Sequence, residues 1–421
     1  MSSMVQRWEY AVVPLSPVHI DSGKTLNGHE FTIENGWLTR YDITMLLEIL
    51  EDREDLLDRY VEGGLRAVVG LLSQDELSRC IIYRTQIDST PKQVREYLAD
   101  GLSRVYLPGS SLKGAIRTAL AWSYLQEGHA EELQEVALQG TERKWAGQPL
   151  LKRILGESTN LDLLRALRVF DSTPLSRDCL TVVEVKVAAL EKGQLLWFAG
   201  PRRSKQRDLK RGVSTFLECI DPTAAPMGIR VVIETDAFLL DGTTEQAKKH
   251  PSDPPRQLKF ERKRELLSDW QQRCNQFAIH VAEGEIDFAE NAGLSSYKEF
   301  HEQRLKEIEA CPNAVFLILG WGGGWRTKTV TEAFSEETIR EVRKKFGLEA
   351  HRIHRICGTR VQSDHQQRGK YFCPHCKQGG LRESETDWWI AIPYPKTRKI
   401  VVEKGQPTRP LGWVRLDLLK D

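Results

Sequence analysis

Four residues near the C-terminal end have the types and spacing of a closed zinc site. His354-x2-Cys357 precedes Cys373-x2-Cys376 by fifteen intervening residues, an arrangement in which two tight turns each present a pair of ligands to one tetrahedral ion. Imidazole and thiolate donors together suit Zn2+. Four protein ligands leave no position for a substrate, so the expected role is structural. The segment between the pairs, Thr359 to Lys370, is polar, and a metal clip explains how so hydrophilic an insertion holds a shape. His351, His365 and His375 are alternative histidine ligands, with His375 the worst placed because it lies between the two cysteines. A chance or redox pair of thiols at Cys373 and Cys376 is the competing reading.

Two further segments are built to hold phosphate. In Leu107-Pro108-Gly109-Ser110-Ser111-Leu112-Lys113-Gly114-Ala115-Ile116-Arg117-Thr118, Pro-Gly ends a strand and a serine, Ser110 or Ser111, caps a helix. The free N–H groups of its first turn then face outward as an anion site. Lys113 and Arg117 share one face near that positive end, while Leu112, Ile116, Ala119 and Leu120 pack inward. The spacing is close to that of a P-loop, but Ala115-Ile116 stands where Lys and Ser/Thr are required, which excludes an NTPase. A well-capped helix with a cationic face is the plainer alternative. The second segment, Leu319 to Thr329, contains Trp321-Gly322-Gly323-Gly324-Trp325-Arg326-Thr327-Lys328. Its glycines permit close backbone approach, its tryptophans offer stacking faces for bases, and Arg326 and Lys328 supply charge for phosphates.

His19 is the residue best suited to act as a general base, and Asp21 or Asp42 could hold a metal for hydrolysis. No second histidine or lysine accompanies His19 at a readable spacing, so a loop-structuring or RNA-contacting role is preferred to catalysis. The basic run Arg202 to Arg211 reads as a solvated loop or a phosphate contact.

The elements that must position these residues alternate between strand and helix. A strand over Glu9 to Ser16 leads into a polar loop at Pro17 to Gly23, and a hairpin over Phe31 to Leu38 turns at Asn35-Gly36. Ile43 to Leu72 is amphipathic helix. A short strand at Val105 to Leu107 precedes the helix Ser111 to Leu125, and Val169 to Val187 reads as strand, turn and strand. Then follow a strand at Ile229 to Glu234, a proline-rich linker at His250 to Pro255, and a helix from about Gln257 to Ala282. The last predicted elements are a helix at Ser296 to Ala310, a buried strand at Val315 to Leu319 and a basic helix at Glu336 to Phe346. This is an α+β chain. Its two domains are expected at 1-215 and 216-421, with a boundary near Arg202 to Pro226 and the zinc insertion at 351-380.

Length and composition agree with two cores: 421 residues, 40% hydrophobic. With 60 Lys+Arg against 59 Asp+Glu the net charge is +1, so any polyanion must meet a local basic patch. Met1 to Tyr10 does not read as a secretory signal and no run has the length of a membrane span. Cys80, Cys179, Cys219, Cys274 and Cys311 read as reduced thiols in or near the core, so a cytoplasmic protein without membrane association is expected.

The segment Leu107 to Thr118 resembles the hallmark of the RAMP superfamily, the ferredoxin-like RNA-binding proteins of CRISPR systems, and Gly320 to Thr329 resembles its C-terminal glycine-rich loop. Ser16 to Ile20, with Tyr394 to Arg398 and Pro410 to Val414, is similar to the subunits that cap the 3′ end of crRNA in type III-A (Csm) interference complexes. The resemblance implies two tandem ferredoxin-like (RRM-like) domains with helical insertions, in a non-catalytic antiviral-defence protein. It implies as partners crRNA, target RNA and neighbouring RAMP subunits, and a part in maturation of the crRNA 3′ end, with host nucleases recruited. His19, Ser110, Ser111, Lys113, Arg117, Gly322, Gly323, Gly324, Trp325, Arg326 and Lys328 become the expected RNA contacts. An endoribonuclease processing crRNA with His19 is the alternative. Asp21 stands where such proteins continue with glycine, and Arg352 to Gly379 lies outside the pattern.

Overall fold

The computed structural model describes residues 5–200, 204–222, 228–236, 265–392 and 394–420. The expected linker at His250 to Pro255, the expected start of the following helix at Gln257, and Arg202 and Arg203 of the basic run lie outside the described residues.

Strand β1 (Val5–Pro14) buries Tyr10 and Val12 on one side. The stretch expected to be a polar loop after His19 is partly strand, β2 (Asp21–Leu26), because it pairs with a later strand across its exposed edge. β3 (Phe31–Glu34) and β4 (Trp37–Tyr41) form the expected hairpin. Asn35 and Gly36 both have positive φ (50° and 77°), as the tight Asn-Gly turn requires. Helices α1 (Ile43–Leu50), α2 (Glu54–Gly63) and α3 (Gln74–Cys80) follow. They enclose a core of their own around Leu46, Leu50, Leu65 and Cys80. Asp42 is the N-cap of α1, its carboxylate accepting the N–H groups of Thr44 and Met45.

Next come β5 (Ile81–Gln86), β6 (Val94–Tyr97), α4 (Gly109–Tyr124), α5 (Ala130–Ala137) and α6 (Gln148–Leu155). Val105 makes only isolated bridges, to Ala99 and Leu175, so the short strand expected there is absent. Strands β7 (Leu167–Val169), β8 (Leu180–Glu191), β9 (Gln194–Phe198), β10 (Lys205–Gln206), β11 (Ser214–Ile220) and β12 (Arg230–Asp236) lead to helices α7 (Trp270–Ala292) and α8 (Ser295–Ala310). The long helix therefore runs ten residues past its expected end at Ala282, to Gly293 in the left-handed region, which stops it. β13 (Val315–Ile318) and α9 (Glu336–Phe346) are where the pattern put them. The remainder is strand apart from one 3-10 turn at Glu383–Glu385: β14 (Ala350–His354), β15 (Gln362–Ser363), β16 (Tyr371–Cys373), β17 (Gln378–Leu381), β18 (Thr386–Ile390), β19 (Thr397–Glu403), β20 (Gln406–Arg409) and β21 (Trp413–Lys420).

Two curled sheets carry most of these strands, as in tandem ferredoxin-like domains with helical insertions, and three smaller sheets hold β3-β4-β5, β14-β18 and β15-β16-β17. One sheet has the order β13-β21-β1-β12-β7 and the other β10-β9-β8-β11-β6-β2, with β19 on β8 and β20 on β19. In the first, β1 lies between antiparallel β12 and β21. Helix α7 is fixed to this sheet by Asn275, whose amide donates to the Ala314 carbonyl while its oxygen accepts the Phe316 N–H. Both polar ends of a buried amide are thereby satisfied, which avoids a desolvation cost of about 1–3 kcal/mol.

Two compact units divide the chain, and they interleave in sequence. One comprises Met1–Leu120, Leu163–Lys328 and Thr397–Asp421; the other comprises Ala121–Asp162 and Thr329–Lys396. β11 runs across the 215/216 boundary expected from the sequence, and each sheet takes strands from both sides of it.

Candidate functional site

The glycine-rich loop leaves the end of β13 and is tied at once to the segment around His19. The Trp321 N–H donates to the His19 carbonyl at 2.9 Å. Gly320 has φ +66°, and a Cβ there would stand 2.2 Å from that same carbonyl oxygen, so only glycine fits. His19 itself is fully buried. Its Nδ1 lies 2.7 Å from the Glu218 carbonyl oxygen, and burial holds its pKa below the ordinary histidine value. Asp21, two residues further on at the start of β2, pairs with Arg95 at 2.8 Å.

Beneath the loop lies a buried ionic cluster. Glu285 of α7 accepts from Arg398 Nε at 2.5 Å and from the Tyr297 hydroxyl at 2.9 Å, and Arg326 reaches it at 3.8 Å. Burial pushes the Glu285 carboxyl up, but Arg398, then His301 and Arg326, more than offset that and hold it below its usual range. Arg326, expected to face phosphate, therefore points into the protein. The glycines are close-packed as well. A Cβ at Gly322 would meet Leu411 at 2.5 Å, and one at Gly323 would meet the buried Thr327 hydroxyl at 2.2 Å. Trp325 is half-buried, whereas Gly324 and Lys328 are exposed. The loop is a packed roof with an outward rim.

On that rim is Trp321, half-exposed, with two cations over its ring: Arg95 at 5.3 Å and Lys399 at 4.0 Å. Burial, then Arg95, lowers the Lys399 pKa. Arg95 comes from β6 and Lys399 from β19, so no sequence window contains the trio. Trp321 carried the only signal, as one of the loop's two tryptophans.

Helix α4 forms as expected, with Ser110 exposed and Ser111, Lys113 and Arg117 partly so. Its cap is different. The Gly109 N–H donates to the Asp171 carboxylate at 2.7 Å, so an acid from a distant loop meets the positive end of the helix in place of a serine. Lys113 and Arg117 lie along the helix beyond that contact.

The four predicted metal ligands come together in the second unit. His354 Nδ1 and the sulfurs of Cys357, Cys373 and Cys376 all lie within 4.8 Å of one another. His354 is 3.3 Å from Cys357 and 3.5 Å from Cys376, and Cys357 is 3.6 Å from Cys373. A zinc tetrahedron with bonds of about 2.3 Å to sulfur and about 2.0 Å to nitrogen has edges of roughly 3.5–3.8 Å. Hydrogen bonds from Thr359 hold the Cys357 thiol down to about 5, so that sulfur is a ready thiolate. Cys376 is raised to about 11 by its hydrogen bond with Cys357, then by loss of solvent and by Cys373 beside it. Of the candidate histidines, His354 completes the set, and His351, His365 and His375 do not. This His/Cys cluster, on two turns flanked by β14 and β16, is built to hold a metal ion.

The chain belongs to the RAMP superfamily, whose sequence model matches residues 12–327. It is 23% identical over 428 residues to a Methanocaldococcus jannaschii protein named CRISPR system Cms protein Csm5, covering 96% of this chain and 88% of that one. Among solved structures it resembles a chain of the Csm-crRNA-target RNA ternary complex of a type III-A CRISPR-Cas system, with a TM-score of 0.60 and 18% identity over 97% of this chain and all of that one. The crystal structure of Csm5 from T. onnurineus is similar too, with a TM-score of 0.54 and 19% identity, covering 96% of this chain and 99% of that one.

Proposed function

We propose that this chain is a Csm5-like subunit of a type III-A CRISPR interference complex, binding the 3′ region of crRNA by its backbone, with target RNA as a further partner. It caps one end of a row of neighbouring RAMP subunits and takes part in maturation of the crRNA 3′ end by engaging host nucleases, as a cytoplasmic antiviral-defence protein. The observation that carries the reading is Trp321 with Arg95 and Lys399 over its ring, on the glycine-rich loop of a RAMP fold. A half-exposed aromatic flanked by two cations is suited to phosphate and base contact on single-stranded RNA. Helix α4 extends the track with Ser110, Ser111, Lys113 and Arg117, and Lys328 lies at the loop's end. That no described helix is long and apolar enough to cross a membrane accords with the reading.

Within that reading the chain holds RNA without cutting it. What supports this is the environment of His19: fully buried, hydrogen-bonded to Glu218, and carrying the loop on its carbonyl. The metal of the His/Cys cluster is Zn2+ in a structural role, since three thiolates and one imidazole in a closed tetrahedron suit zinc best. Filter binding of crRNA across a salt series tests the reading. Replacing Arg95 and Lys399 by alanine should weaken binding and reduce the salt slope by about one to two units. Unchanged affinity and slope would remove the RNA-binding face from Trp321.

A further inference from the structure

The metal-clamped insertion carries a surface that the glycine-rich loop does not account for. The segment 359–361 pairs along β14: the His354 N–H donates to the Thr359 carbonyl and the Val361 N–H to the Arg352 carbonyl, at 2.8 and 3.0 Å. β18 pairs on the other edge of β14, with His351 opposite Trp389 and Ile353 opposite Asp387, while Arg360 lies opposite Ile353. Residues directly opposite in antiparallel strands share a face. One face of this small ribbon therefore presents Trp389, His351, Ile353, Arg360 and Asp387 together, the last already engaged by Arg355.

That face is open. Trp389 is 42% exposed, an unusual state for so large an aromatic, and its ring lies 4.7 Å from His351. Arg360 is near enough to His351 to depress its pKa, after burial itself. The insertion is also strongly basic. Between 351 and 382 there are seven arginines and lysines against the single acid Asp364, in a chain whose net charge is only +1. Arg352 is paired with Glu383 and Arg355 with Asp387. Among the described residues no acid pairs with Arg360, Arg368 or Lys377.

We infer that this ribbon is a second RNA-binding surface of the chain, on which a nucleobase stacks on Trp389 and His351 while Arg360 and its basic neighbours take the flanking phosphates. An exposed aromatic pair beside uncompensated cations is the chemistry of sequence-tolerant single-strand binding. The metal has a definite part in it. His354 and Cys357 close the turn that returns the chain along β14, and this return sets Arg360 beside His351.

The inference rests on the proposed RNA-binding role, and the test separates the two. The full-length, metal-loaded protein is titrated with a labelled single-stranded oligouridylate across a salt series, alongside Trp389→Ala/Arg360→Ala and Arg95→Ala/Lys399→Ala. The ribbon variant should bind about tenfold more weakly with a shallower salt slope, while keeping its metal content and melting temperature. Arg360→Glu/Lys377→Glu, at two exposed positions, should do the same, and it decides the matter if the tryptophan variant fails to fold. Ribbon variants that bind as wild type does, with the loop variant impaired, would overturn this surface and leave the proposed function standing. A wild-type chain that does not bind the oligomer would overturn both. Ribbon variants with full RNA affinity that no longer join a reconstituted complex would assign the face to a protein partner, and that also overturns the inference.

Discussion

The Trp321 N–H donates to the carbonyl oxygen of His19, residues far apart in sequence, and this bond joins the glycine-rich loop to the N-terminal strand region. It fixes what each residue can do. His19 is held inside with its ring against Glu218, and Trp321 is held at the surface between Arg95 and Lys399. The residue most like a catalytic base is thus a support for the residue most like an RNA contact.

If that division of roles is right, the purified chain leaves crRNA and target RNA intact with or without divalent metal. His19→Ala should lower the melting temperature, because it empties a buried site and leaves the Glu218 carbonyl unpaired, a loss of about 1–3 kcal/mol. RNA cleavage that disappears in His19→Ala would show instead that the histidine is catalytic.

The glycines of the loop should differ from one another in a thermal melt. Valine at Gly323 meets the buried Thr327 hydroxyl, so Gly323→Val should cost about 1–3 kcal/mol through overpacking. Packing against Thr327 leaves no room for a side chain at Gly323, although the loop itself lies at the surface. Gly324→Ala meets nothing within 4 Å but has φ +75°, so it should cost only about 1 kcal/mol in backbone strain. Equal melting temperatures for the two variants would contradict this packing.

Elemental analysis should find about one zinc per chain, and Cys373→Ser should lose it with a lower melting temperature. Because the sulfurs must ionise to bind metal, acidification should release zinc. Protein free of metal with an undiminished melting temperature would remove the site.

Acid sensitivity should also come from His301, which is buried beside Glu285. Burial lowers its pKa from 6.5 to about 4. Between those values the unfolded chain binds a proton that the folded chain refuses, so stability falls as pH drops from about 6.5 towards 4, by roughly 3 kcal/mol at most. Glu285, whose pKa is depressed in the folded state, adds a further loss only below the ordinary carboxylate range. Melting temperatures across this range should show the decline, and His301→Gln should flatten its upper part. An identical pH profile in the variant would place the sensitivity elsewhere.

What could be read from the sequence follows from how local each signal is. The Asn35-Gly36 hairpin, α4, α8 and α9 are set by turn residues and periodicity within one window, and they form where expected. The His/Cys cluster is legible for the same reason, as two x2 pairs on tight turns. The cap of α4 is not, because Asp171 reaches it from sixty-two residues away. Neither is the inward turn of Arg326, which depends on Glu285 and on the absence of a side chain at Gly284, where a Cβ would overlap the guanidinium. Arg95 and Lys399 meet at Trp321 only because two strands of one sheet carry them there, and the interleaved course of the compact units has no local signature at all.

The role of the chain is tested most directly by purifying it, tagged, from its native cells and sequencing the RNA that comes with it. The RNA recovered should be crRNA carrying defined 3′ ends, accompanied by other RAMP subunits, with the yield of crRNA reduced by Arg95→Ala/Lys399→Ala. A tagged protein that folds and holds its metal, yet recovers no crRNA above background, would contradict that role.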